Sequence, residues 1–216
     1  MRSATPWAAD RQPQLREQVL SRLLVDLGAA RVSVRERTFG PVLVGLRGSG
    51  KSSLSGPLAA GLGLTAVDAD DELCARVGCS IAELIAREGE VGFRGRERAL
   101  LLDELLPRRG IVLATGGGAV LHEVVRRELR GRVTLWLTAP VTTLARRIEG
   151  STASAEMRPR LADHSAVIDE LEAMWRHRAP LYREVASVEL STEGVDLAAL
   201  TARAVDCFHH HTRGAR

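Results

Sequence analysis

Lysine is almost missing from this chain. Of 30 basic residues one is a lysine, Lys51, and the other 29 are arginines. No apolar run reaches the roughly 18 residues that a membrane-spanning helix needs, so no span is expected. Met1 to Asp10 has no apolar stretch of the kind that directs secretion. Three cysteines, Cys74, Cys79 and Cys207, show no paired metal-ligand spacing, so free thiols in a reducing cytoplasm are expected and a zinc site is not. No five like charges stand in a row, and the net charge of +3 comes from the first 38 residues, where 7 basic side chains face 4 acidic ones. The remaining 23 and 23 balance (30 minus 7, 27 minus 4). A nucleic-acid reader would carry a basic stripe on its binding domain, so nucleic acid is not expected as a partner.

The lone lysine marks the centre of the chain. Val42 to Leu46 is an apolar strand that runs into Gly45-Leu-Arg-Gly48-Ser49-Gly50-Lys51-Ser52-Ser53. The pattern G-x-x-x-x-G-K-[ST] is a phosphate-binding loop. Its glycines let the backbone curl until several N–H groups point into one concavity at a helix N-terminus. Residues Gly48 to Ser53 are therefore expected to cradle a nucleotide's phosphates, with Lys51 on the β and γ groups and the Ser52 hydroxyl a ligand of Mg2+. A planar guanidinium does not replace a compact ammonium inside such a loop, which explains the one lysine.

Around this loop short apolar strands alternate with helical periodicity: strands near 64–67, 111–114, 133–137 and 185–190, and helices near 51–62, 80–87, 91–106, from 140, 165–178 and 195–208. Ser80 to Glu83 forms a capping box. The alternation predicts an α/β domain, a parallel sheet covered on both faces, over residues 39–208. Residues 1–38 form an extension with one amphipathic helix at Pro13 to Leu27, and 209–216 a tail. One helix is too little for a helix-turn-helix reader. A monomer is expected unless this helix mediates a dimer.

Ligands of such sheets sit at the carboxyl ends of the strands, and the remaining signals fall there. Asp68-Ala-Asp70 ends the second strand; read as extended chain, it points both carboxylates into the cleft, one to hold Mg2+ and the other to take a hydroxyl proton. Arg94 and Glu97 lie one helical turn apart, so the carboxylate can orient the guanidinium for an anion. Gly116-Gly117-Gly118 lets a substrate meet bare backbone. Arg178 brings a second arginine, four residues before Tyr182.

In this order, Asp68-x-Asp70, Phe93-Arg94-x-x-Glu97, Gly116-Gly117-Gly118, Arg158-Pro159 and Arg178-x-x-x-Tyr182 behind the phosphate loop resemble the shikimate kinases over residues 41–190. The resemblance implies a three-layer P-loop kinase fold of strand order 2-3-1-4-5 with a mobile lid. It implies transfer of the ATP γ-phosphate to the 3-hydroxyl of shikimate, on the route to chorismate and the aromatic amino acids. By position, Asp70 would be general base, Asp68 would help Ser52 hold Mg2+, and Arg94 and Arg178 would clamp the substrate carboxylate against Gly117 and Gly118. Residues 149–164 would be the lid carrying Arg158 over the phosphates, and Arg147 the platform under adenine. This sequence departs from the family in a longer lid, in Arg160, and in Ser191 to Val195, which lacks the arginine or proline that often faces adenine. A gluconate-type kinase and a non-catalytic acyl-CoA-sensing domain of the same shape are the alternatives.

Overall fold

The computed structural model describes residues 38–150 and 164–213. The predicted N-terminal helix, the centre of the predicted lid and Arg158 lie outside them. Five strands, β1 (Val42–Val44), β2 (Thr65–Asp68), β3 (Ile111–Ala114), β4 (Thr134–Thr138) and β5 (Val188–Ser191), form one sheet in the order β2-β3-β1-β4-β5. All four pairings are parallel. The three-layer architecture is thus the expected one, with β1 central and the phosphate loop leaving its carboxyl end.

Period-two alternation along β1 decides which face each residue covers. Leu43 packs with Leu54 and Leu58 of α1 (Lys51–Leu62) and Leu200, Ala204 and Phe208 of α7 (Leu197–Arg213). Val42 and Val44 turn the other way, into a larger core with residues of α2 (Ala69–Val77), α3 (Ile81–Leu100), α4 (Glu123–Arg130), α5 (Val141–Glu149) and α6 (His164–Val185). The innermost strands β1, β3 and β4 are buried at every position, as a sheet covered on both faces requires.

Five elements differ from the sequence pattern, the simplest being α7, which runs on to Arg213 through most of the expected 209–216 tail. Asp68-Ala-Asp70 is not one extended segment. Asp68 caps α2, its Oδ1 accepting from the Asp70 amide at 3.0 Å, and Asp70, Asp71 and Glu72 fill that helix's first turn, where carboxylates meet the positive end of the helix dipole. The two predicted helices of 80–106 are one run broken at Gly89, whose φ of 74° and ψ of 171° leave the helical region. Residues eight apart in a straight helix stand about 12 Å apart along the axis. Yet Arg96 reaches back to Glu88 at 2.6 and 3.0 Å, so the kink folds the two halves together. The run ends in a π-helical turn at Leu101–Leu105. α4 was not foreseen. α6 continues through Pro180 to Val185 rather than stopping at Arg178, because Tyr182 and Val185 are both buried in the core.

Candidate active site

The phosphate loop is shaped by three glycines with positive φ, Gly45 (146°), Gly48 (77°) and Gly50 (93°), a region that L side chains avoid. Gly48 is also confined: a Cβ there would stand 2.9 Å from the Leu144 carbonyl of α5. Gly50 precedes α1 and offers no side-chain cap, which leaves the helix N-terminus to a phosphate. Lys51 is buried, and its Nζ donates to the carbonyls of Gly45 at 2.9 Å and Leu46 at 3.0 Å. Ser52 Oγ donates to Asp68 Oδ2 at 2.6 Å. A hydroxyl and a carboxylate side by side at the phosphate end of the cleft are hard oxygen donors of the kind Mg2+ takes, with substrate phosphates and water supplying the rest of its shell.

A cavity of about 660 Å3 opens over the loop, lined among others by Gly48, Ser49, Gly50, Lys51, Ser52, Ser53, Asp68, Asp70, Gly117, Arg147 and Arg178. Asp71 joins them, its carboxyl pushed up by burial and then by the nearby Asp68 charge. A smaller groove of about 440 Å3 between α2 and α3 holds Arg76, Arg87 and Arg96; each is ion-paired to a glutamate, and no set of groups there converges on one point.

None of the three glycines at 116–118 has positive φ, so space rather than backbone freedom demands them. A Cβ on Gly116 would lie 2.5 Å from Glu97 Oε1 and 2.7 Å from Asp70 Oδ1. One on Gly118 would meet the Arg94 guanidinium, with Cζ 2.5 Å away. The glycine run is thus the wall against which Asp70, Glu97 and Arg94 converge. Arg94 donates to Glu97 Oε2 at 2.7 Å and to Glu90 at 3.3 Å. Arg94 and Glu97 are 12% and 3% exposed, so this pair is buried rather than a solvated surface contact. His122 lies behind it. Burial holds its imidazole below the usual 6.5, with the Glu97 charge pulling upward and Arg94 and Arg98 pushing down.

On the other side, Arg178 donates to the Gly117 carbonyl at 3.0 Å. The single tyrosine of the chain, Tyr182, donates to the same oxygen at 2.6 Å. Tyr182 stacks on Trp136, which stacks in turn on Trp175, and burial raises its phenol well above the ordinary value. Arg147 donates to Thr192 Oγ1 and to the Thr192 carbonyl, both at 2.8 Å, and to the Gly48 carbonyl at 3.3 Å. It therefore joins the phosphate loop to the segment after β5, the segment that departs from the family pattern.

Of the residues expected from sequence, Lys51, Ser52, Asp68, Asp70, Gly117, Arg147 and Arg178 line the cavity, while Arg94 and Gly118 meet each other at the glycine run beside it; Arg158 lies outside the described residues. Sequence reasoning gave no role to Tyr182, His122 or Arg47. For Arg47 the signal was there: a charged residue inside a glycine-rich loop.

Comparison with known proteins decides the family. The sequence model of the family described as shikimate kinase matches residues 47–208. A shikimate kinase of Rhodopirellula baltica is 43% identical over 151 residues, 69% of this chain and 80% of its own length. The chain belongs to the shikimate kinase family. Another family member, from Bordetella bronchiseptica, is 38% identical over 89% of both chains. The solved shikimate kinase of Acinetobacter baumannii, in complex with shikimate, superimposes with a TM-score of 0.72 at 33% identity, covering 84% of this chain and 97% of its own. A gluconokinase from Sinorhizobium meliloti, at 17% identity and a TM-score of 0.53, shares the fold. As a shikimate kinase family member the chain is an ATP-dependent phosphotransferase with an alcohol acceptor. Among the described residues no helix is long and apolar enough to cross a membrane.

Proposed function

We propose that this chain transfers the γ-phosphate of ATP to the 3-hydroxyl of shikimate, with the roles divided along the cavity. Lys51 and the loop amides hold the β and γ phosphates. Ser52 and Asp68 would hold Mg2+, which when bound neutralises phosphate charge. Asp70 takes the hydroxyl proton. Arg94 and Arg178 grip the carboxylate, and the backbone of Gly117 and Gly118 closes the floor. Arg147, three of its N–H donors engaged by Thr192 and Gly48, is oriented by them to present a face to adenine. Arg158 is assigned to the phosphates by motif position alone. The reaction is then largely positioning and charge neutralisation.

One observation carries the acceptor assignment: two arginines, each fixed by its own partner, converge on a run of bare glycines beside Asp70. That is a site for a small acid bearing hydroxyls rather than for a second nucleotide. A reducing cytoplasm suits three cysteines that form no disulfide.

The test is ADP release with ATP and Mg2+, comparing shikimate, quinate, gluconate and no acceptor, with Arg178→Ala as control. Release that depends on shikimate and is lost in the control is expected. Equal rates with gluconate would overturn the acceptor assignment.

A further inference from the structure

Arg47 is the third residue of the phosphate loop, where the backbone and not the side chain does the binding. It lines the same cavity as Lys51, Asp70, Gly117 and Arg178. A Cβ on Gly117 would stand 3.6 Å from the Arg47 amide nitrogen, so the residue sits at the seam between the phosphate side and the acceptor side. Its guanidinium reaches Glu170 of α6 at 3.5 Å, and the two side chains are 27% and 34% exposed. An ion pair that long and that solvated contributes only about 0–1 kcal/mol. It is a contact that a stronger anion displaces.

We infer that Arg47 is a further catalytic residue, resting on the shikimate kinase reading: with nucleotide bound its guanidinium exchanges Glu170 for oxygens of the transferred γ-phosphoryl group. In that step the acceptor oxygen forms a bond to the γ phosphorus, the bond to the β-phosphate oxygen breaks with its electrons passing to ADP, and the acceptor proton goes to Asp70. Arg47 gains and loses no proton. It offers two parallel N–H donors to equatorial oxygens whose charge rises as the bond loosens. The one lysine, Lys51, meets the β and γ groups as a point charge and lacks that fork, so Arg47 would share this task with Arg158, which is assigned by motif position alone. Glu170 is one partner of Arg47 at rest. It stands two helical turns before Arg178 on α6, so it can hold Arg47 toward the acceptor side between turnovers.

The test measures kcat together with the binding of ADP and of a non-hydrolysable ATP analogue, in wild type, Arg47→Ala, Arg47→Lys and Glu170→Gln. Arg47→Ala is expected to lower kcat by about 10- to 100-fold and to weaken the analogue by about tenfold, with ADP affinity held within about twofold, since the contact is to the γ group. Glu170→Gln removes one anion that competes for Arg47, so analogue binding tightens by about two- to threefold with no loss in kcat. A tether that only ties α6 to the loop would make both variants lose kcat alike, and that result overturns the assignment. Arg47→Ala with kcat within about twofold of wild type overturns it too. Arg47→Lys, which keeps charge and stem, is expected to fall between; should Arg47→Ala not fold, an Arg47→Lys enzyme equal to wild type would count against the fork. Wild-type enzyme inactive with shikimate would sink the substrate reading by itself, while the contrast between analogue and ADP would still decide Arg47.

Discussion

Gly118→Ala separates the substrate clamp from the fold. At φ −97° and ψ −5° the residue stands in a region open to alanine, so the backbone tolerates the change and the unfolded chain loses entropy, a gain of about 0.4–1 kcal/mol. The new methyl, however, lies on the Arg94 guanidinium, 2.5 Å from Cζ. That group is the far end of a flexible side chain, so it moves rather than the backbone. The expected result is a misaimed arginine in a fold of nearly normal stability. A charge-assisted hydrogen bond contributes about 1.5–3 kcal/mol, and 1.4 kcal/mol is a factor of ten. The shikimate KM should rise by about 10- to 100-fold, with ATP KM unchanged and Tm within about 4 °C of wild type. Arg94→Ala is a poorer test, because it leaves Glu97, 3% exposed, without its counter-ion at a cost of about 3–5 kcal/mol. Gly117→Ala is the comparison: its Cβ would find the Gly45 carbonyl at 3.4 Å, the Arg47 amide nitrogen at 3.6 Å and the Arg178 guanidinium at 3.8 Å, ordinary contacts that displace neither arginine, so its KM should move less. Steady-state kinetics and a thermal melt on the three proteins suffice. An unchanged shikimate KM in Gly118→Ala, or equal effects at 117 and 118, would refute the reasoning.

Three further outcomes follow from the site. Asp70→Asn should lower kcat by at least about 100-fold while ATP binding, read by titration calorimetry, stays close to wild type; wild-type turnover would remove Asp70 as base. Tyr182→Phe deletes the 2.6 Å bond to the Gly117 carbonyl, which keeps Arg178 as donor, so about 0.5–1.5 kcal/mol of stability should go. Shikimate KM should rise several-fold with ATP KM steady, and a drop in Tm alone would mean the phenol only packs. His122 binds a proton more weakly in the fold than its ordinary 6.5, so the unfolded chain takes up more protons on acidification. Its stabilising contribution is complete above pH 6.5 and is lost as pH falls below it. His122→Asn should flatten the dependence of Tm on pH below 6.5, and an unaltered slope would count against this.

Most of the fold was legible because its signals are local. A glycine-rich loop followed by Lys51 needs no tertiary information, and the buried runs at Ile111–Ala114 and Thr134–Thr138 are apolar enough to read as inner strands. The order of those strands was implied only by the family resemblance, and the pairings agree with it. What misled was the step at Asp68. A two-residue period also puts two carboxylates on one side. Yet an acceptor side chain followed by Asp70, Asp71 and Glu72 is a helix-start pattern, and α2 begins there. Both readings put the carboxylates in the cleft; only the helix explains why Asp68 is turned toward Ser52 while Asp70 faces Gly116.

The rest was not legible because it depends on long-range packing. Pro180 argues for a helix end before it, and local propensity alone would place that end near Arg178. The burial of Tyr182 and Val185 overrides it, and that continuation carries the phenol to the Gly117 carbonyl. The run of three glycines shows the same logic. In sequence it reads as bare backbone for a substrate, whereas in space Gly116 also makes room for Glu97 and Asp70, and Gly118 for Arg94. The departure at Ser191 to Val195 is resolved in like manner. No arginine stands in that segment, but Arg147 reaches Thr192 from α5 and spans back to Gly48. The connection between the phosphate loop and the segment after β5 is therefore made by a side chain 45 residues away in sequence. Thr192→Val would remove one of its acceptors while leaving the carbonyl in place.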